Sequence, residues 1–261
     1  MKVLTDLLKP NHTPTSTTYG VMAAVQGLIV IAMWLWYPAV IFPSLGEVYR
    51  ATISLITEQQ LVVELWESMV TVFQALLISA VVAMAISYLT VLPLFRPVAY
   101  IAMKMRYLTM VGTIFFIALL VNSGHNVKLS ILVVGTTVYF VTGMVAVIQS
   151  TTEEEMNHAR TLGMSEWKSF YQVVVLGKLD QMLEVVRQNF AMMWTLIIVA
   201  ETIFQTEGGI GLLLWKQGRY LHLDAVIAIQ IIVLLVGALQ DYGFKIIRKF
   251  IFPYADLATA R

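Results

Sequence analysis

No cysteine occurs among the 261 residues, which excludes disulfides, thiolate metal sites and cysteine nucleophiles and says nothing of compartment. Charge is also scarce. Asp, Glu, Lys and Arg make up 13% of the chain, against about 25% in an ordinary soluble domain. Such a chain lacks the polar groups needed to cover a soluble surface of its size. No GxSxG, HExxH or Walker pattern occurs, so serine hydrolysis, zinc proteolysis and a phosphate-binding loop lack their usual residues. The four histidines, His12, His125, His158 and His222, lie on separate segments without metal-ligand spacing, and no metal is expected. The net charge of +1 argues neither for nor against nucleic acid, and no nucleic-acid partner is expected.

What is abundant is apolar. Hydrophobic residues make up 59% of the chain and the mean hydropathy is +0.78, so the bilayer is the natural solvent. The fourteen methionines read as core or lipid-facing filler. A helix needs about 20 apolar residues to cross a membrane, and six stretches qualify. They are Tyr19–Ile41, Glu67–Leu92, Ala99–Asn122, Leu129–Gln149, Val186–Thr206 and Asp224–Ile246. The first exceeds the core of a signal peptide and runs into Trp34, Trp36, Tyr37 and Pro38, so it reads as a retained anchor. The third is interrupted by Lys104 and Arg106. Pro93 and Pro97 stop the second.

Placing both termini in the cytoplasm puts thirteen of the seventeen lysines and arginines inside, leaving Arg50, Lys128, Lys216 and Arg219 outside. That bias is the one expected of a multi-pass protein. It makes the polar stretch 150–184 the longest inner loop. Thr152 with Glu155 fits a capping box, Gly163 can take the left-handed conformation that ends a helix, and Ser165 can cap a second short helix at Glu166. The expected fold is all-α and polytopic. It has a tail at 1–18, a first span at 19–41, a core at 42–247 with this helix–turn–helix at 150–184, and a tail at 248–261.

The run His158-Ala159-Arg160-Thr161-Leu162-Gly163, followed by Ser165, Trp167, Phe170 and Val173-Val174, resembles the EAA loop of ABC importer permeases of the nitrate/sulfonate/taurine branch. Collinear matches are Phe42-Pro43-Ser44 with Glu47-Val48, Glu64-Leu65-Trp66 with Ser68, Ala200-Glu201 before Gly208-Gly209-Ile210-Gly211, Asp241, and the basic ending Arg248 to Tyr254. Asn157 stands where the family has glutamate, His158 where it has alanine, and Leu176 where it has proline.

The resemblance implies a type I permease in a bacterial cytoplasmic (inner) membrane, working as a pair with a second copy. A separate ABC ATPase subunit would bind ATP and grip the loop, and a periplasmic or lipoprotein solute-binding protein would deliver a small anion. The permease itself would be no enzyme and hold no cofactor. Asn157, His158, Ala159, Leu162, Gly163, Ser165, Trp167 and Phe170 would form the coupling loop. Leu162, Trp167 and Phe170 either anchor in the partner or pack on their own helices.

Glu201, the one acid inside an apolar run, is either part of the solute path or a structural acid bonded to a neighbouring helix. Asn189, Thr195 and Gln230 line the path or join helices. Gly209 and Gly211 belong to a gate or a simple turn, and Lys216, Arg219 and His222 attract an anion or only solvate the surface. An ion-driven secondary transporter would show internal repeats and a midplane ionisable pair. An intramembrane enzyme would need paired buried acids or a His/Asp cluster. Neither pattern is found.

Overall fold

The computed structural model describes residues 16–36, 43–121, 124–205 and 208–253. His12, the Tyr37–Ile41 end of the first predicted span, Phe42, Asn122, Thr206, Tyr254 and most of both tails lie outside them. Every regular element among the described residues is helical. In order they are α1 (Ser16–Trp36), α2 (Leu45–Thr57), α3 (Leu61–Leu89), α4 (Arg96–Lys104), α5 (Met110–Leu120), α6 (Gly124–Gln149), α7 (Glu153–Thr161), α8 (Glu166–Ser169), α9 (Leu179–Ile203), α10 (Ile210–Arg219) and α11 (Leu223–Ile251).

The centre is a seam between α3, α6 and α9. On α3 the buried stripe is made of small residues at helical spacing, Ser68, Val72, Ala75, Ser79, Ala83 and Ser87. Small side chains let two backbones approach where lipid gives no hydrophobic drive for association. Where they meet α6, Ser79 Oγ and Thr136 Oγ1 lie 2.7 Å apart and share a hydrogen bond. On α9 the stripe is larger, running Met182, Val186, Phe190, Met193, Ile197 and Ala200 at three- and four-residue steps. α10 packs between α9 and α11, and α2 lies along α11.

Among the described residues four helices, α3, α6, α9 and α11, are long and apolar enough to cross a membrane, and a broken pair taken as one span makes five; within α1 the apolar stretch Thr18–Trp34 is shorter. The broken pair is the predicted third span. Ala99–Asn122 is not one helix: the segment Pro93–Tyr107 and the later Gly112–Leu120 stand 115° apart. Leu108 and Thr109 between them are extended or at the helix cap. The reason lies in the sequence. Lys104 and Arg106 cannot enter the apolar layer without cost, so the first half stays apart from the apolar second half.

Candidate functional site

Two places carry the polar chemistry, one at each end of α9. At the first, α7 starts on the capping box: Thr152 Oγ1 accepts from Glu155 N at 3.2 Å and Glu155 Oε2 accepts from Thr152 N at 3.1 Å. The helix stops at Gly163, whose φ of 79° only glycine adopts freely. Gly163 N donates to Arg160 O at 2.9 Å and Met164 N to Ala159 O at 3.3 Å, closing the turn.

Ser165 sits at the N-cap of α8 but its side chain makes no capping bond. The second short helix is fixed instead by Arg160, whose guanidinium makes two bonds to Glu166, at 2.8 and 2.9 Å, and one to Asn157 Oδ1 at 2.7 Å. Beyond α8 the chain widens into a π-helix, Phe170–Leu176, before α9 begins.

The predicted loop residues therefore separate. Ala159 is buried. Phe170 turns inward and meets the Tyr88 ring edge-on at 6.2 Å. His158, Leu162 and Trp167 stay exposed. Lys178 ties the base of α9 back to α7 through Glu155 at 3.1 Å.

The Lys178 ammonium, with the Thr152 N–H, holds the Glu155 carboxyl below the usual carboxylate range, and the Arg160 guanidinium does the same for Glu166. Carboxylates lowered on folding stabilise the fold above their ordinary value and lose that contribution as pH falls through the lowered one. Both carboxylates are exposed, so the effect is small. The chain has no native thiol, so a spin label on Met164→Cys reads this turn alone. Its mobility is expected to stay constant from neutral pH to the ordinary carboxylate range and to rise only below it.

At the other end of α9, a glycine turn is gripped from three helices. Glu201 is 1% exposed. Its Oε2 accepts from Gly211 N at 2.8 Å and its Oε1 accepts from Ser68 Oγ at 2.7 Å. Ser68 Oγ in turn accepts from Ile210 N at 2.9 Å. Glu64 accepts from Gly209 N, and Lys128 Nζ donates to Gly208 O at 3.2 Å. The first amides of α10, which have no partner within their own helix, are thus satisfied by acids and a hydroxyl from α3 and α9. Gly209 has φ 105°, and a Cβ there would overlap the Glu201 carboxylate. This arrangement gives the buried acid of α9 a bonded role between helices. Glu64, Ser68 and Lys128 share that role, which the sequence reading did not assign to them.

The remaining predicted residues lie elsewhere. Thr195 and Gln230 come together on a cavity of about 410 Å³ between α9, α10 and α11. Asn189 is not part of it and donates to Val185 O at 2.9 Å on its own helix. Arg219 stacks on Trp215 with 5.1 Å to the ring centroid, and His222 Nδ1 pairs with Gln217 Oε1 at 2.9 Å. Lys216 is exposed. Near the loop end, Arg187 joins Glu184 to Asp241 of α11, and Arg248 reaches Asp180 and Glu184 at 3.6 and 3.5 Å. Among the described residues no group of three or more His, Asp or Glu is placed to hold a metal.

The model of a family described as "Binding-protein-dependent transport system inner membrane component" matches residues 68–252. The Escherichia coli (strain K12) protein named "Putative aliphatic sulfonates transport permease protein SsuC" is 33% identical over 91 residues, 35% of this chain and 34% of that one. The taurine transport system permease protein TauC of the same organism is 24% identical over 107 residues, 41% of this chain and 38% of that one. The matched stretch thus spans under two fifths of the length of either relative. A crystal structure of an amino acid ABC transporter with histidines superposes with a TM-score of 0.61 at 16% identity, over 76% of this chain and 96% of that one. That likeness is one of fold.

Proposed function

The chain belongs to the binding-protein-dependent transport system inner membrane component family, and from that membership we propose that it is the permease subunit of an ATP-binding-cassette importer for a small sulfonate- or taurine-like solute. The helix–turn–helix of α7 and α8 carries this reading. It is braced by a capping box and the Arg160–Glu166 pair, it continues through the π-helix into α9, and it leaves Leu162 and Trp167 exposed. Large apolar side chains on an otherwise polar loop suit anchors in a partner's pocket. The partner is a separate ATPase in the cytoplasm, two permease copies form the path, and both termini lie inside. Phe170, turned toward Tyr88, supports the loop from its own side.

ATP binding and hydrolysis in the partner draw the paired loops together. The stroke enters α9 and changes which face of the membrane the helices open to. The solute preference rests on the sulfonate and taurine relatives, with a binding protein delivering the solute.

The test is assembly. Purified with an ABC ATPase subunit, the chain is expected to hold it and to give ATP hydrolysis that rises with loaded binding protein. Leu162→Ala with Trp167→Ala is expected to release it. Single thiols placed between 151 and 180 should react only with reagents that reach the cytoplasm. Solute uptake driven by an ion gradient in vesicles containing this chain alone would overturn the reading.

A further inference from the structure

We propose that the cavity between the broken α4 segment and the loop helices is a binding site for an anionic phospholipid, its phosphate held by Arg96. By the topology proposed above this lipid belongs to the inner leaflet; the cavity itself does not depend on that topology.

From Ser68 to Thr152 the chain contains no acidic residue, and in that stretch Arg96, Lys104 and Arg106 fall on one short segment. Most cations of the neighbouring elements are neutralised, Lys168 of α8 excepted: Arg160, Lys178, Arg187, Lys245 and Arg248 each meet a carboxylate. Among the described residues, Arg96, Lys104 and Arg106 meet none. Lys104 and Arg106 lean on rings instead. Lys104 Nζ is 5.3 Å from the Tyr100 centroid and 5.8 Å from that of Tyr107, and Arg106 Cζ is 5.0 Å from Tyr107.

The same segment exposes Leu94, Val98 and Ile101. A short helix with apolar side chains, tyrosines and unpaired cations, set at a steep angle to the span that follows, has the composition of an interfacial helix. Such a helix attracts anionic headgroups.

The second observation is space. A cavity of about 750 Å³ opens between α4, the ends of α3 and α6, α7 and the π-helix. Its wall includes Arg96, Tyr100, Ile148, Glu153, Arg160 and Phe170. Arg160 is occupied by Glu166 and Asn157. Glu153, the one acid on the wall, lies on the α7 side. Arg96 is held at the cavity by its Nε, which donates to Thr90 O at 3.3 Å, and its guanidinium brings further donors suited to a phosphate. The apolar part of the wall suits the first carbons of an acyl chain. A lipid seated there would lie against Phe170 and α7, so the headgroup would bear on the loop itself.

The test needs neither ATPase nor solute, so its failure is separate from failure of the transport reading. The purified chain is titrated in detergent with phosphatidylglycerol, with phosphatidylcholine of the same acyl chains, and with glycerol phosphate, and bound molecules are counted by native mass spectrometry. One phosphatidylglycerol is expected to be retained in preference to phosphatidylcholine, and glycerol phosphate is expected not to compete. Arg96→Gln should weaken retention roughly fivefold, the worth of one cation beside anionic lipid, while Arg96→Lys keeps most of it. Lys249→Gln, at the far end of α11, should change nothing. If Arg96→Gln does not fold, Met156→Trp, which fills the same cavity from the α7 side, carries the same expectation. Equal retention of both lipids, displacement by glycerol phosphate, or equal losses in the Arg96 and Lys249 variants would overturn the site.

Discussion

Glu201→Ala is expected to lower the stability of the chain by roughly 3 to 5 kcal/mol, because two buried donors lose their acceptor at once. Gly211 N and Ser68 Oγ both point at this carboxylate, and neither has water to turn to. Ser68 is then free to rotate, so Ile210 N loses a fixed partner too. The start of α10 depends on these bonds, since its first amides have no carbonyl one turn earlier. Glu201→Gln keeps one acceptor oxygen and should cost about half as much. Heat denaturation of the solubilised chain reads the first effect. The second reading is the rate at which a thiol at Leu213→Cys, a buried position of α10, becomes reactive. A Glu201→Ala chain that melts with the parent and keeps Leu213→Cys shielded would show that the glycine turn is held by something else.

Gly163→Pro acts at the opposite end and should abolish coupling without unfolding the spans. At φ 79° the glycine lies far from the roughly −65° that proline requires, and its N–H bond to Arg160 O would be lost. A misfit of about 3 kcal/mol corresponds to somewhat more than a hundredfold in the population of the native turn. ATPase stimulation should therefore fall by at least tenfold while yield and melting of the solubilised chain stay near the parent values. Gly163→Asn, which tolerates the left-handed region, should keep most of the stimulation. Stimulation undiminished in Gly163→Pro would remove the turn from the coupling path.

Much of this was legible before any coordinates. Length and apolarity mark α3, α6, α9 and α11, and the capping box at Thr152 and the glycine turn at Gly163 follow from local rules that need no distant partner. Glu201 stands out because an acid in an apolar run demands an explanation. Its partners could not be read, since Ser68 lies 133 positions away and nothing in a single sequence pairs the two.

The broken third span was half-visible. Lys104 and Arg106 signalled an interruption, yet the residue count alone allowed one continuous helix. α2 was missed although Ser44 and Glu47 form a capping box as regular as that of α7. Its 13 residues after the cap are too few to stand out by hydropathy alone. Ser165 shows the reverse error. Its position is that of a cap, but the Arg160–Glu166 pair does the holding.

The continuity of α9 has a mechanical corollary. Its 25 residues span about 37 Å at 1.5 Å each, with Lys178 tied to the loop helices at one end and Glu201 clasping the start of α10 at the other. A push rod of this kind has no clutch. Whatever moves the loop end moves the glycine-turn end in phase with it, so the timing of the two is set by covalent geometry.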